Sequence, residues 1–486
     1  MLRYEDLNKS FINGDWVVGA SPQTFEIRNP FDNEVITSVP LATAQQLEAS
    51  FHAANTAQLT WSKTSPEERK EVLSRASAYL RENQAAIVDL IGRETGGTVL
   101  KANLELHLAL EVLEESIHMV DELHAIREVP SHMEGKTNYI HRVPIGVISS
   151  ISPFNFPVNL SMRTIAPALA LGNAVVHKPD IQVGLSGGSM IAKAFQEAGL
   201  PKGVLNVLLT DISEIGDGMI NHSYVNFVSF TGSTPVGRHI GEIAGKHLKR
   251  VALELGGNSP FVVLSDADVD RAVDAAIFGK FFHQGQICMA INRFIVHQDV
   301  FDEFVQKFAS RAKELPCGNP RDPQTVIGPI INEQQMNRAL DVIEEAKRSG
   351  ARVVLEGCRT GNVLTPFIFA DVDNASALAQ TELFAPIAAV IRANTDEEAV
   401  QLANQTDYGL SASIFTRDLS KGQSLALQID SGMTHINDQT VNDAPTVPVG
   451  GTKASGIGRF GNPWIVDEFT TTKWVSVQQT YRDFPL

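Results

Sequence analysis

Val225–Gly237 reads VNFVSFTGSTPVG. An apolar run, Val225–Phe230, passes through Thr231-Gly232-Ser233 into a helical segment, Pro235–His247, with a proline in its first turn. That is the pattern of a buried strand feeding a helix, not of a hairpin. The same alternation extends to both sides. Apolar runs at Ile145–Ile151, Asn173–His177, Val204–Leu208 and Arg250–Leu255 are separated by helical stretches such as Leu185–Ala198, which Gly199 closes. Short apolar strands divided by amphipathic helices predict an α/β fold with a parallel, doubly wound sheet. Such a sheet puts its ligand site at the carboxyl ends of its strands.

After Gly256-Gly257 a second α/β series begins, with Phe261–Leu264 and Ile291–His297 as strands and Asp266 as a helix cap. It runs to about residue 437, where a Gly/Pro-rich stretch, Pro445–Gly461, follows. Nearer the start, Phe11–Trp16 predicts a hairpin turning at Asn13-Gly14. Ser65-Pro66-Glu67-Glu68 marks a helix start, and Leu73, Ala76 and Leu80 then share one face. Two extended stretches, Lys136–Arg142 and Thr470–Tyr481, have no local partner. Together they predict a small sheet that protrudes and pairs with another subunit.

At 486 residues the chain is long enough for two or three domains and a large core. The net charge is −16, which argues against nucleic acid or an anionic membrane as partner. Only three cysteines are present, Cys288, Cys317 and Cys358. They offer no disulfide framework and no metal-ligand spacing, so a reducing compartment and no metal are expected. The N-terminus does not resemble a signal peptide, and no apolar stretch is long enough to span a bilayer. The expectation is a cytoplasmic protein.

Five constellations carry chemistry. In Phe282–Cys288, FHQGQIC, a cysteine follows a Gly-containing loop after a helix. A loop near helix ends can give a thiol an open approach and a lowered pKa, although a lone cysteine is as readily an inert core residue. In Leu253–Asn258, LELGGN, Glu254 closes an apolar strand, where a carboxylate in apolar company suits general-base work; an exposed or salt-bridged Glu is the alternative. Gly232-Ser233 opens a helix whose free amides suit a phosphate, as any β–α turn does to some degree. Asn155, in Ser152–Pro157, SPFNFP, can present an N–H to an oxyanion, or can simply be a turn asparagine. Lys178 ends a strand and can reach a ribose or phosphate, or solvent. Gly456–Gly461, GIGRFG, matches a dinucleotide pattern but follows no strand, so it reads as a loop of close backbone approach.

Taken in order, these segments resemble one family, the NAD(P)-dependent aldehyde dehydrogenases. The resemblance runs from Phe11 to about Trp474. It is carried by PFNFP (153–157), Lys178-Pro179, FTGS (230–233), ELGGN (254–258), GQIC (285–288), ELFAP (382–386) and PVGG (448–451). It implies Cys288 as nucleophile, Glu254 as the base for hydrolysis and Asn155 in the oxyanion site. It implies cofactor contacts from Lys178, Gly232, Ser233, Gly256, Glu382, Phe384 and Phe154. It implies an NAD(P)-binding domain from 1–124 and 144–255, a catalytic domain from 256–437, and an oligomerisation sheet from 125–143 and 462–486. A homodimer or homotetramer follows from the last.

Some positions depart from the family pattern. Ile181 stands where many NAD-preferring members have a Glu, which leaves NAD or NADP open, with Asp180 tilting towards NAD. Phe154 replaces a common Trp, Ala385 a Gly, Val449 a Phe, and Arg163 a Trp. These changes imply a wider, more polar substrate funnel. PVGG and GIGRFG resemble the benzaldehyde and vanillin dehydrogenase branch, which implies an aromatic aldehyde. The alternatives are an aliphatic or semialdehyde substrate such as succinic semialdehyde, or a catalytically silent binding protein. Glu254 argues against the acylating branch, which generally lacks that base. Cys288 has no second cysteine nearby in sequence to resolve it, which argues against an oxidant sensor.

Overall fold

The structure is a computed structural model in which residues 7–485 are described. Met1–Asp6 and Leu486 lie outside the described residues, and with them part of the N-terminal reading.

The predicted strands form the first sheet. Its parallel centre runs Leu205–Val207, Ala174–Pro179, Val147–Ser152, Val225–Thr231, Arg250–Glu254. Of these five, Val147–Ser152 comes first in the chain yet lies in the middle. The next two strands lie on one side of it and the last two on the other. Winding therefore reverses between Val147–Ser152 and Val225–Thr231, where such sheets open a crevice. Alternate residues face opposite cores. Ile148, Val175 and Phe227 pack with Pro157–Ala170 and Val99–Glu122, while Val147, Val176 and Val228 pack with Ala44–Trp61 and Thr234–Lys246.

Both edges of this sheet come from distant sequence. The predicted hairpin, Ser10–Ile12 with Asp15–Val17, pairs through Phe11 with Val207. Its turn residues Asn13 and Gly14 have φ of 51° and 83°, as a two-residue hairpin loop requires. At the other edge, Gly456–Ile457 runs antiparallel to Leu253 and Glu254. A Cβ on Gly456 would sit 1.8 Å from the Leu253 carbonyl oxygen. The glycine-rich GIGRFG segment thus serves backbone approach.

The second sheet runs Arg352–Leu355, Phe367–Ala370, Ile387–Ala393, Ile291–His297, Ser259–Val263, Ser411–Phe415, Met433–Ile436. All neighbours are parallel except the Arg352–Leu355 edge. Two local expectations fail here and in the first sheet. Asp268, not Asp266, caps helix Val269–Phe281. Asp266 instead accepts from Thr416 Oγ1 and the Arg417 amide, at 2.8 and 3.0 Å, and so ties two strand ends together. Leu185–Ala198 is not one regular helix: Leu185–Ser189 is a π-helical turn before Met190–Glu197. The Glu94 carboxylate takes the Leu185 and Ser186 amides there, at 3.1 and 2.7 Å, which offsets the irregular ladder.

The two orphan segments find each other. Thr470–Gln478 pairs antiparallel with Lys136–Pro144 along its full length, and Arg127–Val129 adds a third strand. Lys136–Pro144 is the central strand of the three, and Thr470–Gln478 and Arg127–Val129 are its edges. Trp474, Val475 and Val477 remain exposed on this sheet. Among the described residues no helix is long and apolar enough to cross a membrane.

Candidate active site

Helix Pro157–Ala170 springs from the end of the central strand Val147–Ser152, and every residue in it is buried. Pro157 is its first residue, and the Glu105 carboxylate accepts the Val158 amide at 2.7 Å. That contact supplies the negative charge a helix start favours. One turn apart on this helix, Asn159 and Arg163 face the same way. The Arg163 guanidinium forks between two carboxylates, Glu254 Oε2 and Asp443 Oδ2. Asn159 Nδ2 also donates to Asp443 Oδ2, at 3.0 Å. Burial works against the Arg163 charge, but Asp443 and Glu254 outweigh it and hold the group above its usual range. Glu254 is only 1% exposed. The apolar company expected for Glu254 is thus replaced by a buried ion pair. Its Oε1 has no hydrogen-bond partner among the described residues.

The Cys288 loop reaches the same place by a strained path. His283, Gln284 and Gly285 have φ of 49°, 57° and 74°. Two non-glycine residues in this region cost on the order of 1 kcal/mol each and need external support. Gln284 Nε2 donates to the Pro329 carbonyl at 2.8 Å, and Gln286 Oε1 accepts the Ile331 amide at 3.0 Å. Asn155 Nδ2 donates to the Gln286 carbonyl at 3.0 Å, which leaves one amide hydrogen uncommitted two residues from Cys288. Cys288 itself is half-buried. Burial, then the nearby Glu254 and Glu382 carboxylates, push its thiol well above the ordinary range; Arg163 and the Met289 amide oppose them. The sequence reading expects a lowered value. The sign differs because the thiol is buried and, after that, because two carboxylates rather than a helix end face it.

Glu382 Oε1 accepts the Gly257 amide at 3.0 Å, yet burial lifts Glu382 to about 7. A Cβ at Gly256 would meet Glu382 Oε2 at 2.6 Å, so a side chain at this cradle would displace the Glu382 carboxylate. Phe384, with φ of 47°, sets its ring edge-on to Phe154 at 5.8 Å. The Gly232 amide donates to the Glu254 carbonyl at 3.0 Å, joining two neighbouring strand ends. Ser233 is the N-cap of Thr234–Lys246, but its side chain makes no cap bond, so hydroxyl and helix amides stay available. Lys178 lies beside Asp180 and Asp211; burial lowers it and both carboxylates oppose that. Ile181, in the short turn Asp180 caps, is buried. Asn155, Glu254, Gly256, Glu382 and Cys288 thus converge, with Lys178, Gly232 and Ser233 along the same sheet edge.

A model of the aldehyde dehydrogenase family matches residues 16–475. The chain belongs to the aldehyde dehydrogenase family. AldY of Bacillus subtilis (strain 168) is 62% identical over 484 residues, covering 100% of both chains. Vanillin dehydrogenase of Corynebacterium glutamicum is 46% identical over 477 residues, covering 98% of each. The crystal structure of an NAD-dependent benzaldehyde dehydrogenase from Corynebacterium glutamicum superposes with a TM-score of 0.91 at 42% identity, covering 99% of this chain and 98% of that one.

Within this aldehyde dehydrogenase, sequence reasoning misses Asn159 and Asp443 and sees Arg163 only as a departure. A signal was present: Arg163 is the one charged residue in the helix Pro157–Ala170. Arg163 and Asp443 also line a cavity with Met119, Val449 and Phe460, of about 20 Å³, room for roughly one water.

Proposed function

We propose that this aldehyde dehydrogenase oxidises an aromatic aldehyde of the benzaldehyde or vanillin kind to the carboxylic acid, with NAD or NADP. The observation that carries it is the Cys288 thiol set among the Asn155 amide, the unpartnered Glu254 oxygen and Glu382. The cradle at Gly256 and the uncommitted Ser233 fit a dinucleotide. When bound, NAD(P)+ supplies the hydride acceptor that side chains lack.

The Cys288 thiol releases its proton to solvent and its sulfur adds to the carbonyl carbon, giving a thiohemiacetal with its oxygen as an oxyanion. The free N–H of Asn155 and the Cys288 amide hold its oxygen. Loss of hydride leaves a thioester on Cys288. Glu254 Oε1 takes a proton from the water that attacks this thioester. The carbon–sulfur bond breaks, the acid departs, and the sulfur recovers its proton. Lys178 holds the adenine-side ribose, Gly232 and Ser233 the pyrophosphate, and Glu382 the nicotinamide ribose, with Phe384 and Phe154 alongside. Asp180 and Asp211 beside Lys178 favour NAD, since either would repel a 2′-phosphate.

The aromatic assignment is supported by the vanillin and benzaldehyde dehydrogenases among its relatives. Residues 1–124 with 144–255 form the cofactor part, 256–437 the catalytic part, and 125–143 with 462–486 the self-association part. Exposed Trp474, Val475 and Val477 favour a homodimer or homotetramer. Three unpaired cysteines favour the reducing cytoplasm.

The test is kcat/KM for benzaldehyde and vanillin against hexanal and succinic semialdehyde, with both cofactors. Aliphatic substrates winning by roughly tenfold would overturn the aromatic assignment. Cys288→Ala should lose turnover and still bind cofactor. Continued cofactor reduction by that variant overturns the mechanism.

A further inference from the structure

Arg163 takes no part in the steps above, yet it is the residue in ion contact with the proposed base. We propose that Arg163, anchored by Asp443, is a positioning residue that aims Glu254 for thioester hydrolysis. It engages one carboxylate oxygen and leaves the other to water. The inference rests on the function proposed above.

The geometry supports a clamp. Glu254 Oε2 lies on one arm of the guanidinium, and Oε1 has no partner among the described residues. Pinning one oxygen of a carboxylate fixes the direction of the other. The clamp is itself fixed. The second arm of Arg163 meets Asp443 Oδ2, which Asn159 also holds at 3.0 Å. Asn159 and Arg163 sit on one buried helix whose first turn Glu105 caps. A planar fork holding two carboxylates is something lysine cannot reproduce.

Charge points the same way. The groups facing Glu254 are Arg163 from the helix, Asp443 through Arg163, and the Cys288 thiol from its loop. Arg163 is the cation among them. Addition of the Cys288 sulfur to the aldehyde does not use Glu254 as base. Hydrolysis does: the water proton goes to Oε1, the oxygen bonds the acyl carbon, and the carbon–sulfur bond breaks. Loss of the clamp therefore falls on the second half of the cycle.

Stopped-flow formation of reduced NAD from benzaldehyde tests this, on full-length wild type, Arg163→Gln, Arg163→Lys and Asp443→Asn. Arg163→Gln is expected to give a burst near one equivalent per subunit, then a steady rate lower by roughly a hundredfold. Mass spectrometry should show the acyl adduct on Cys288 accumulating. Arg163→Lys, which keeps the charge but loses the fork, should keep the burst and lower the steady rate. If Arg163→Gln is insoluble, Asp443→Asn decides: an intact burst with a steady rate about tenfold lower supports the clamp, and an unchanged steady rate overturns it. Burst and steady rate falling together would make Arg163 merely structural. A rise in KM alone would make it a substrate ligand. Either overturns the inference. Failure of the underlying function reads differently: wild type would reduce no cofactor with any aldehyde.

Discussion

Gly257 lies flat against Cys288: a Cβ built on the glycine comes within 2.2 Å of the Cys288 carbonyl oxygen. The two segments that carry base and nucleophile therefore touch through backbone, and neither can yield without moving the other. Gly257→Ala should destabilise by about 1–3 kcal/mol and lower kcat/KM by roughly a hundredfold, because the loop bearing the thiol must shift. Gly241→Ala is the control. Its Cβ would meet only Leu253 Cδ1, at 3.6 Å, on a regular helix. That change should be neutral or slightly stabilising. Melting temperatures and steady-state kinetics of the two variants check the contrast.

The thiol of Cys288, without cofactor, is held protonated by burial and by Glu254 and Glu382. Alkylation by iodoacetamide should therefore be slow at pH 7 and rise about tenfold per pH unit up to pH 9, tracking the thiolate. Glu382→Gln removes one of the opposing charges and should speed labelling at every pH in that range. A rate already flat between pH 6 and 8 would mean that the thiolate is preformed.

The first sheet was legible because its strands are buried on both faces. Val147 and Ile148, or Val175 and Val176, are apolar neighbours that read as a run and end where helices begin. The nucleophile and base stood out through their glycine-bearing surroundings. Side-chain partners were not legible. Arg163 meets Asp443 across 280 residues, a pairing that no local pattern encodes. The edge strand at Gly456 and the π-turn at Leu185 are likewise set by contacts with Leu253 and Glu94 from distant segments. The sheet of Lys136–Pro144 and Thr470–Gln478 was legible because each stretch is extended and lacks a local partner; its third strand, Arg127–Val129, was not.

Lys280 is fully buried, and its amine has no hydrogen-bond partner among the described residues. Burial lowers it to about 7 from an ordinary 10.5. Its folded value is depressed, so between those two values the unfolded chain binds the proton and the folded one does not. Stability is therefore lost as pH falls from 10.5 towards 7. Lys280→Met should raise the melting temperature at pH 7, by the equivalent of roughly a few kcal/mol, and by less at pH 10. A gain independent of pH would assign the effect to packing alone.

Cofactor choice should turn on the carboxylates around Lys178. Asp180 caps the turn holding Ile181, and with Asp211 it flanks the lysine. Asp180→Ser keeps a capping oxygen but removes a charge. It should raise kcat/KM for NADP relative to NAD by about tenfold, near 1.4 kcal/mol, with little change for NAD itself. The paired measurement with both cofactors checks it, and a fall with both would point to a folding role for Asp180.

Glu254→Gln separates base from structure. The amide oxygen can still accept from Arg163, and Arg163 keeps Asp443, so the buried fork stays seated. What disappears is an oxygen able to take a proton at the unpartnered Oε1 position. Acylation should proceed to about one equivalent of reduced cofactor per subunit and then stall. Hydroxylamine is a stronger nucleophile than water and needs no base to attack a thioester. Adding it should restart turnover and release the hydroxamate. A Gln variant with a wild-type steady rate would remove Glu254 from the hydrolysis step. A variant without a burst would instead place its role before the thioester.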